Sequence, residues 1–145
     1  MESTVIRDVL VTRWAEIGDK IVKLAEEFPE DRYDAKPVAD VRSFADQVRH
    51  VAFWNRYVQK TLRREEADGQ ANELPRASYP TKAKLVKVLR STFDDVATEL
   101  GGMNGSASKA DADTLVSFIE HSGEHYGQLV MYARLNGIIP PASRA

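Results

Sequence analysis

Apolar residues recur along four stretches of the chain at intervals of three and four, and none of the stretches sustains an alternation of period two. In residues 4–28, Ile6, Leu10, Trp14, Ile17, Ile21, Leu24 and Phe28 follow one another at steps of 4, 4, 3, 4, 3 and 4. Such a stripe suits a helix packed at a shallow angle in a bundle. Ser3 is its expected cap, and Pro29, which has no amide hydrogen, its stop. A second helix is expected over residues 44–65, with Phe44, Val48, Val51, Val58 and Leu62 as its seam and His50, Trp54 and Tyr57 widening one flank. Ser43 followed by Asp46 resembles a capping box at its start. Residues 82–100 place Leu85, Leu89, Phe93, Val96 and Leu100 on one face, with Thr81 as cap and Gly101-Gly102 as stop. The fourth helix, residues 112–136, carries Leu115, Phe118, Ile119, Tyr126, Leu129 and Ala133. Asp111 or Asp113 is its expected cap, and Gly137 and Pro140-Pro141 end it.

Four amphipathic helices without strands predict an all-α fold, a four-helix bundle of antiparallel type. The connection "ADGQANELPRASYP" between helices 2 and 3 is long enough to cross the length of the bundle, so those two helices are expected to run parallel. The polar stretch "PEDRYDAKPVADVRS" joins helices 1 and 2, its course fixed by Lys36-Pro37. Arg63-Arg64-Glu65-Glu66 reads as a solvated helix end. The length of 145 residues predicts one domain, residues 1–145.

Composition narrows the function by exclusion. Apolar residues make up 43% and charged ones 29%, the mixture of a soluble globular protein. A net charge of −2 gives no concentrated excess of Lys and Arg, so no nucleic-acid partner is expected. No apolar run approaches the roughly 18 residues of a membrane span, and the start "MESTVIRDVL" lacks the apolar core of a signal peptide. With no cysteine there is no disulfide, no thiolate metal ligand and no cysteine nucleophile. A cytoplasmic protein with no membrane partner is the expectation.

The candidate chemistry lies in the histidines. The chain has three: His50, His121 and His125. The last two flank the string "HSGEH" and, at about 100° per residue, stand about 40° apart on one side of helix 4. That string fits the inverted zinc-protease pattern H-x-x-E-H, which needs a further acidic ligand downstream. None follows, because "YGQLVMYARLNGIIPPASRA" holds no Asp or Glu, and Glu124 reads as a solvated charge. If helices 2 and 4 are neighbours, His50 joins the pair and three imidazoles converge. Three neutral imidazole nitrogens suit a divalent first-row ion and leave coordination positions open, the pattern of catalytic rather than structural sites. Three histidines are also about what composition supplies, so spacing alone leaves a surface or core role open.

The tail "EHSGEHYGQLVMYARLNGIIPP" contains His, three residues, His, a Gly-Gln pair, an aliphatic stretch, Arg, Gly and Pro-Pro, on His121, His125, Gly127-Gln128, Arg134, Gly137 and Pro140-Pro141. The stretch "FPEDRYDAKPVADVRSFADQVRHVAFWNRYV" has a Lys-Pro turn, a helix-start Ser, and His followed by an aliphatic residue and Ala. In this order the two segments resemble the DinB superfamily, and they frame residues 29–141; residues 64–110 match only in length and pattern. The resemblance implies a four-helix bundle of the DinB/YfiT type in which His50, His121 and His125 bind one divalent metal ion (Zn, Ni, Mn or Fe), commonly in a homodimer. It also implies a metal-dependent enzyme acting on a small-molecule electrophile. The first expectation is thiol transfer with a low-molecular-weight thiol such as bacillithiol or mycothiol. The second is hydrolysis by a metal-bound hydroxide. The competing class is a non-enzymatic metal-binding or interaction protein.

Four residues near the histidines carry two readings each. Asp46 orients His50 or caps helix 2. Trp54 and Tyr57 wall a pocket beside the metal or, as aromatic residues at this spacing more often do, fill the core. Arg134 contacts an anionic substrate or caps the last carbonyls of helix 4, the second being preferred. Gly127 is expected to permit close helix packing, and Arg32 and Tyr33 to lie near the site entrance.

Overall fold

The computed structural model describes residues 2–103 and 107–145. Four helices carry the fold: α1 Glu2–Glu27, α2 Phe44–Leu62, α3 Lys82–Gly101 and α4 Lys109–Leu135. Short 3-10 turns follow at Glu30–Arg32 and Pro141–Ser143, and there is no strand among the described residues. No helix among them is long and apolar enough to cross a membrane.

Side-chain bonds fix the direction of each helix. Arg49 donates to the Tyr79 carbonyl near the start of α3, Asn55 to Thr92, and Arg63 pairs with Glu99, so α2 and α3 run parallel as their long connection implied. Lys82 donates to the Phe28 carbonyl, Trp14 to that of Phe93 and Arg7 to that of Met103, which makes α1 antiparallel to α3. Contacts from Gln47 to His125 and from Arg64 to Asp111 make α4 antiparallel to α2. Each helix packs on two others, with α1 opposite α2 and α3 opposite α4 across the diagonals.

The expected stripes form the core. Trp14, Ile21 and Leu24 of α1 and Phe28 just after it are buried, as are all five seam residues of α3. Where α1 ends and α2 begins, the Phe28 and Phe44 rings stack at 3.9 Å and 3°, with Tyr33 tilted against both. Tyr33, expected near the site entrance, is therefore buried in the core, its hydroxyl donating to the Ala25 carbonyl, and Arg32 donates to the Asn136 carbonyl at the bundle end. Ile6 departs from its stripe and is 54% exposed. With 26 residues, α1 is longer than the 20-residue α3 antiparallel to it, so its first turns project past their partner.

The helix ends show where local signals sufficed. Ser43 and Thr81 accept from the amides of Asp46 and Lys84, as expected of N-caps. The first helix begins before Ser3, whose side chain lies outside the described residues. The start of α4 differs: Ser108 is the cap, and Asp111 sits inside the first turn, bonded through its amide and carboxylate to the Ser108 hydroxyl. At its other end Gly137, at φ 75, closes α4 by bonds from Gly137 to Arg134 and from Ile138 to Ala133. The same double bond ends α2 three residues before the expected boundary, from Arg64 to Thr61 and from Glu65 to Lys60. Here Arg64 takes the left-handed position at φ 60. Its side chain then grips Asp111 by two parallel bonds of 2.7 and 3.0 Å. The carboxylate is only 6% exposed, and the Arg64 bond, ahead of the Ser108 bonds, holds it below the usual range. Residues 63–66 are all exposed, as expected of a solvated helix end, and the two arginines also tie α2 to α3 and α4 through Glu99 and Asp111.

Candidate metal centre

His50 stands in the second turn of α2, and His121 and His125 one turn apart on α4, the helix packed antiparallel to it. The packing brings the three rings together. Nε2 of His121 lies 3.1 Å from Nε2 of His50 and 3.1 Å from Nε2 of His125. One nitrogen from each ring falls within 4.8 Å of the others, so the group can hold a metal ion. His50 and His125 are buried and His121 half-buried.

The outer nitrogens decide what the inner ones can do. Nδ1 of His50 lies 2.8 Å from the Asn72 carbonyl, which only accepts, so Nδ1 carries the proton and Nε2 a free lone pair. Nδ1 of His125 likewise donates to Oε1 of Gln47 at 2.6 Å, while Nε2 of Gln47 donates to Gln128 at 2.6 Å. Two inward lone pairs therefore flank the third ring. A single proton on His121 cannot make a full bond to both, whereas a cation satisfies every inward nitrogen. Two nitrogens each about 2.1 Å from one ion stand about 3.0–3.4 Å apart, for right-angled to tetrahedral arrangements. The observed 3.1 Å fits.

Burial also keeps the rings in their ligand form. It pushes His50 down to about 4 and His125 down to about 3, and lowers His121 as well. For His125 the two neighbouring imidazoles add to that effect, and Arg42 adds to it at all three. An unfolded histidine binds its proton at about 6.5, so between there and about 4 the unfolded chain holds more protons than the folded one. Stability then falls as the pH falls. The melting temperature of metal-free protein is expected to drop from about pH 6.5 downward, and to drop less steeply in His125→Gln. Circular dichroism melts across that range check it, and equal slopes would contradict it.

Aromatic rings close one flank. The Trp54 ring meets His121 edge-on at 6.1 Å and stacks on Phe118 at 5.6 Å and 26°. Phe118 also meets His121, at 5.6 Å. Tyr57 packs behind Trp54 at 4.9 Å, so of the two expected wall residues Trp54 touches the histidines and Tyr57 supports it.

Other expected residues sit differently. The Asp46 carboxylate pairs with Arg49 at 2.8 Å and Arg76 at 2.6 Å, and the orienting partner of His50 is instead the Asn72 carbonyl. The cause is geometric: Arg49 lies one turn along α2 and captures the carboxylate. Arg134 is exposed, and nine residues beyond His125 it stands about half a turn round the helix from it. It is the basic residue in the last turn of α4, where a positive charge favours the helix's C-terminal end, and the carbonyls of Ala133 and Arg134 also have backbone donors. Gly127 is exposed, with nothing within 4 Å of a Cβ placed on it, so it does not serve close packing. Glu124 is exposed as expected.

Sequence reasoning missed Gln47 and Asn72. Gln47 had a visible signal, since it precedes His50 by one turn on the same helix. Asn72 had none, because it lies in the connection.

The sequence model of the DinB superfamily matches residues 13–129. No curated protein matches the chain. The family match covers most of the sequence, including α2, α3 and all three histidines, and it agrees with the all-helical bundle: the chain belongs to the DinB superfamily.

Proposed function

We propose that this protein is a metal-dependent enzyme that holds one divalent ion through His50, His121 and His125 and transfers a low-molecular-weight thiol to a small electrophile. The observation that carries the metal reading is that Nε2 of His121 stands 3.1 Å from Nε2 of both His50 and His125, whose outer nitrogens are already committed as donors. Three protein ligands leave coordination positions open. A divalent cation bound there favours the ionised form of a thiol at neutral pH. The chain has no cysteine, so the sulfur comes from a second molecule.

The residues divide the remaining work. Asn72 and Gln47 each hold an Nδ1 proton outward and so keep an Nε2 lone pair inward. Burial keeps those imidazoles neutral. Trp54 and Phe118 exclude water from the flank of His121.

Cobalt-loaded protein tests the proposal by its spectrum and its activity together. Added cysteine or glutathione is expected to produce a sulfur-to-cobalt absorption band, and the loaded protein to speed thiol transfer to an aryl halide over the metal-free protein. A spectrum that ignores thiols and small anions means a closed, non-enzymatic ion. A thiol-insensitive protein that cleaves ester substrates would replace transfer by hydrolysis.

A further inference from the structure

The connection between α2 and α3 lies along α2 and is bonded to it. The Leu74 amide donates to the Arg49 carbonyl, Arg49 donates back to that of Tyr79, and Glu73 pairs with Arg42 just before the helix. Level with the triad, Asn72 makes two bonds of different kinds. Its carbonyl accepts the Nδ1 proton of His50 at 2.8 Å, and its side-chain Oδ1 accepts the indole proton of Trp54 at 2.9 Å. Asn72 has φ 61, the left-handed region, which asparagine tolerates better than most residues with a Cβ. Gly69 of the same connection lies against the indole, so closely that a Cβ there would stand 2.6 Å from Cη2 of Trp54.

We propose that Asn72 is a positioning residue for the triad: its carbonyl holds His50 as the Nδ1-protonated tautomer, and its side chain seats Trp54 against His121. The use of that arrangement rests on the metal reading above; the arrangement itself does not. The residue type follows from the two demands taken together. Glycine would accept the backbone angle but leave the half-buried indole N–H of Trp54 without its acceptor. A β-branched residue would refuse the angle and move the carbonyl away from His50. Asparagine meets both, and the connection thereby sets a site whose ligands all lie on helices.

The experiment uses the full chain, zinc as the probe, and nitrogen-15 NMR of the metal-free protein. Asn72→Val is expected to weaken zinc binding about 10- to 100-fold, the usual range for losing an outer partner of a metal ligand, and to lose the single His50 tautomer. Asn72→Gly is expected to keep the tautomer and most of the zinc affinity. Its Trp54 indole N–H, identified by its loss in Trp54→Phe, should shift and exchange faster with solvent. Asn72→Asp, which retains the side-chain oxygen, should restore that protection. A folded Asn72→Val with wild-type zinc affinity and tautomer overturns the proposal, as does an unchanged Trp54 signal in Asn72→Gly. If Asn72→Val does not fold, the Gly and Asp pair decides the role of the side chain, and the wild-type His50 signals decide that of the carbonyl: an Nε2-protonated ring overturns it. If the wild type takes up no zinc, the metal reading fails by itself, and the tautomer and indole signals still decide the role of Asn72.

Discussion

Replacing His125 by alanine is expected to leave a folded bundle that no longer retains a divalent ion. The wild type should carry about one ion per chain after reconstitution, because the three histidines bring one ligand nitrogen each within 4.8 Å of the others. Removing an outer partner of a ligand costs about 10–100-fold in affinity, so removing the ligand itself should cost more than about 100-fold. Gln47→Ala supplies the comparison, since Gln47 touches the site only through Nδ1 of His125 and should fall within that smaller range. Elemental analysis of untagged protein and zinc titration against a competing chelator measure both. Thermal melts provide a second readout: ligand at about a thousand times its dissociation constant adds about 4 kcal/mol to stability. That gain should appear in the wild type and vanish in His125→Ala. Equal metal content in the two proteins would place the ion elsewhere.

The largest loss of stability is expected from Phe44→Ala, at about 3–5 kcal/mol. Phe44 is 0% exposed, stacks on Phe28, and has Tyr33 and Tyr132 tilted against it at 5.0 and 6.5 Å. Deleting the ring leaves a cavity among side chains from three parts of the chain, none of which can collapse far without opening another. Domains of this kind are stable by about 5–15 kcal/mol, so the variant should stand near the edge of unfolding. Urea titration at unchanged slope would measure the loss. Phe44 is also the first residue of the helix that carries Gln47 and His50, so zinc affinity should weaken alongside stability. A loss below about 1 kcal/mol, smaller than core truncations normally cost, would mean that the aromatic cluster repacks.

The helices were legible because their signals are local. The stripe of α3 and its cap Thr81, the cap Ser43 and the stop at Gly137 all act within a turn or two of chain, and each stands where periodicity and turn chemistry put it. The errors lie where a local signal had an equally local competitor. Arg64 ends α2 in a conformation that glycine usually supplies, so nothing in the sequence marked the stop. Ser108 rather than Asp111 caps α4, because the aspartate serves better inside the first turn, where it accepts from Ser108 and from Arg64.

For the candidate site, the sequence by itself determined the ligand inventory: three histidines, two of them one turn apart on one helix, with no cysteine to compete. It also determined that His50 and that pair lie on different amphipathic helices, and the resemblance to the DinB superfamily joined them. Only the tertiary structure decided how close they come and which nitrogen of His50 and His125 faces inward. Those choices rest on bonds to Asn72 and Gln47, 22 and 78 residues away along the chain. Periodicity reports which face of a helix is apolar, since that depends on neighbours three and four positions away. A tautomer depends on whichever acceptor the folded chain brings to the other side of the ring, and that acceptor arrives only when α4 packs on α2 and the connection closes over His50.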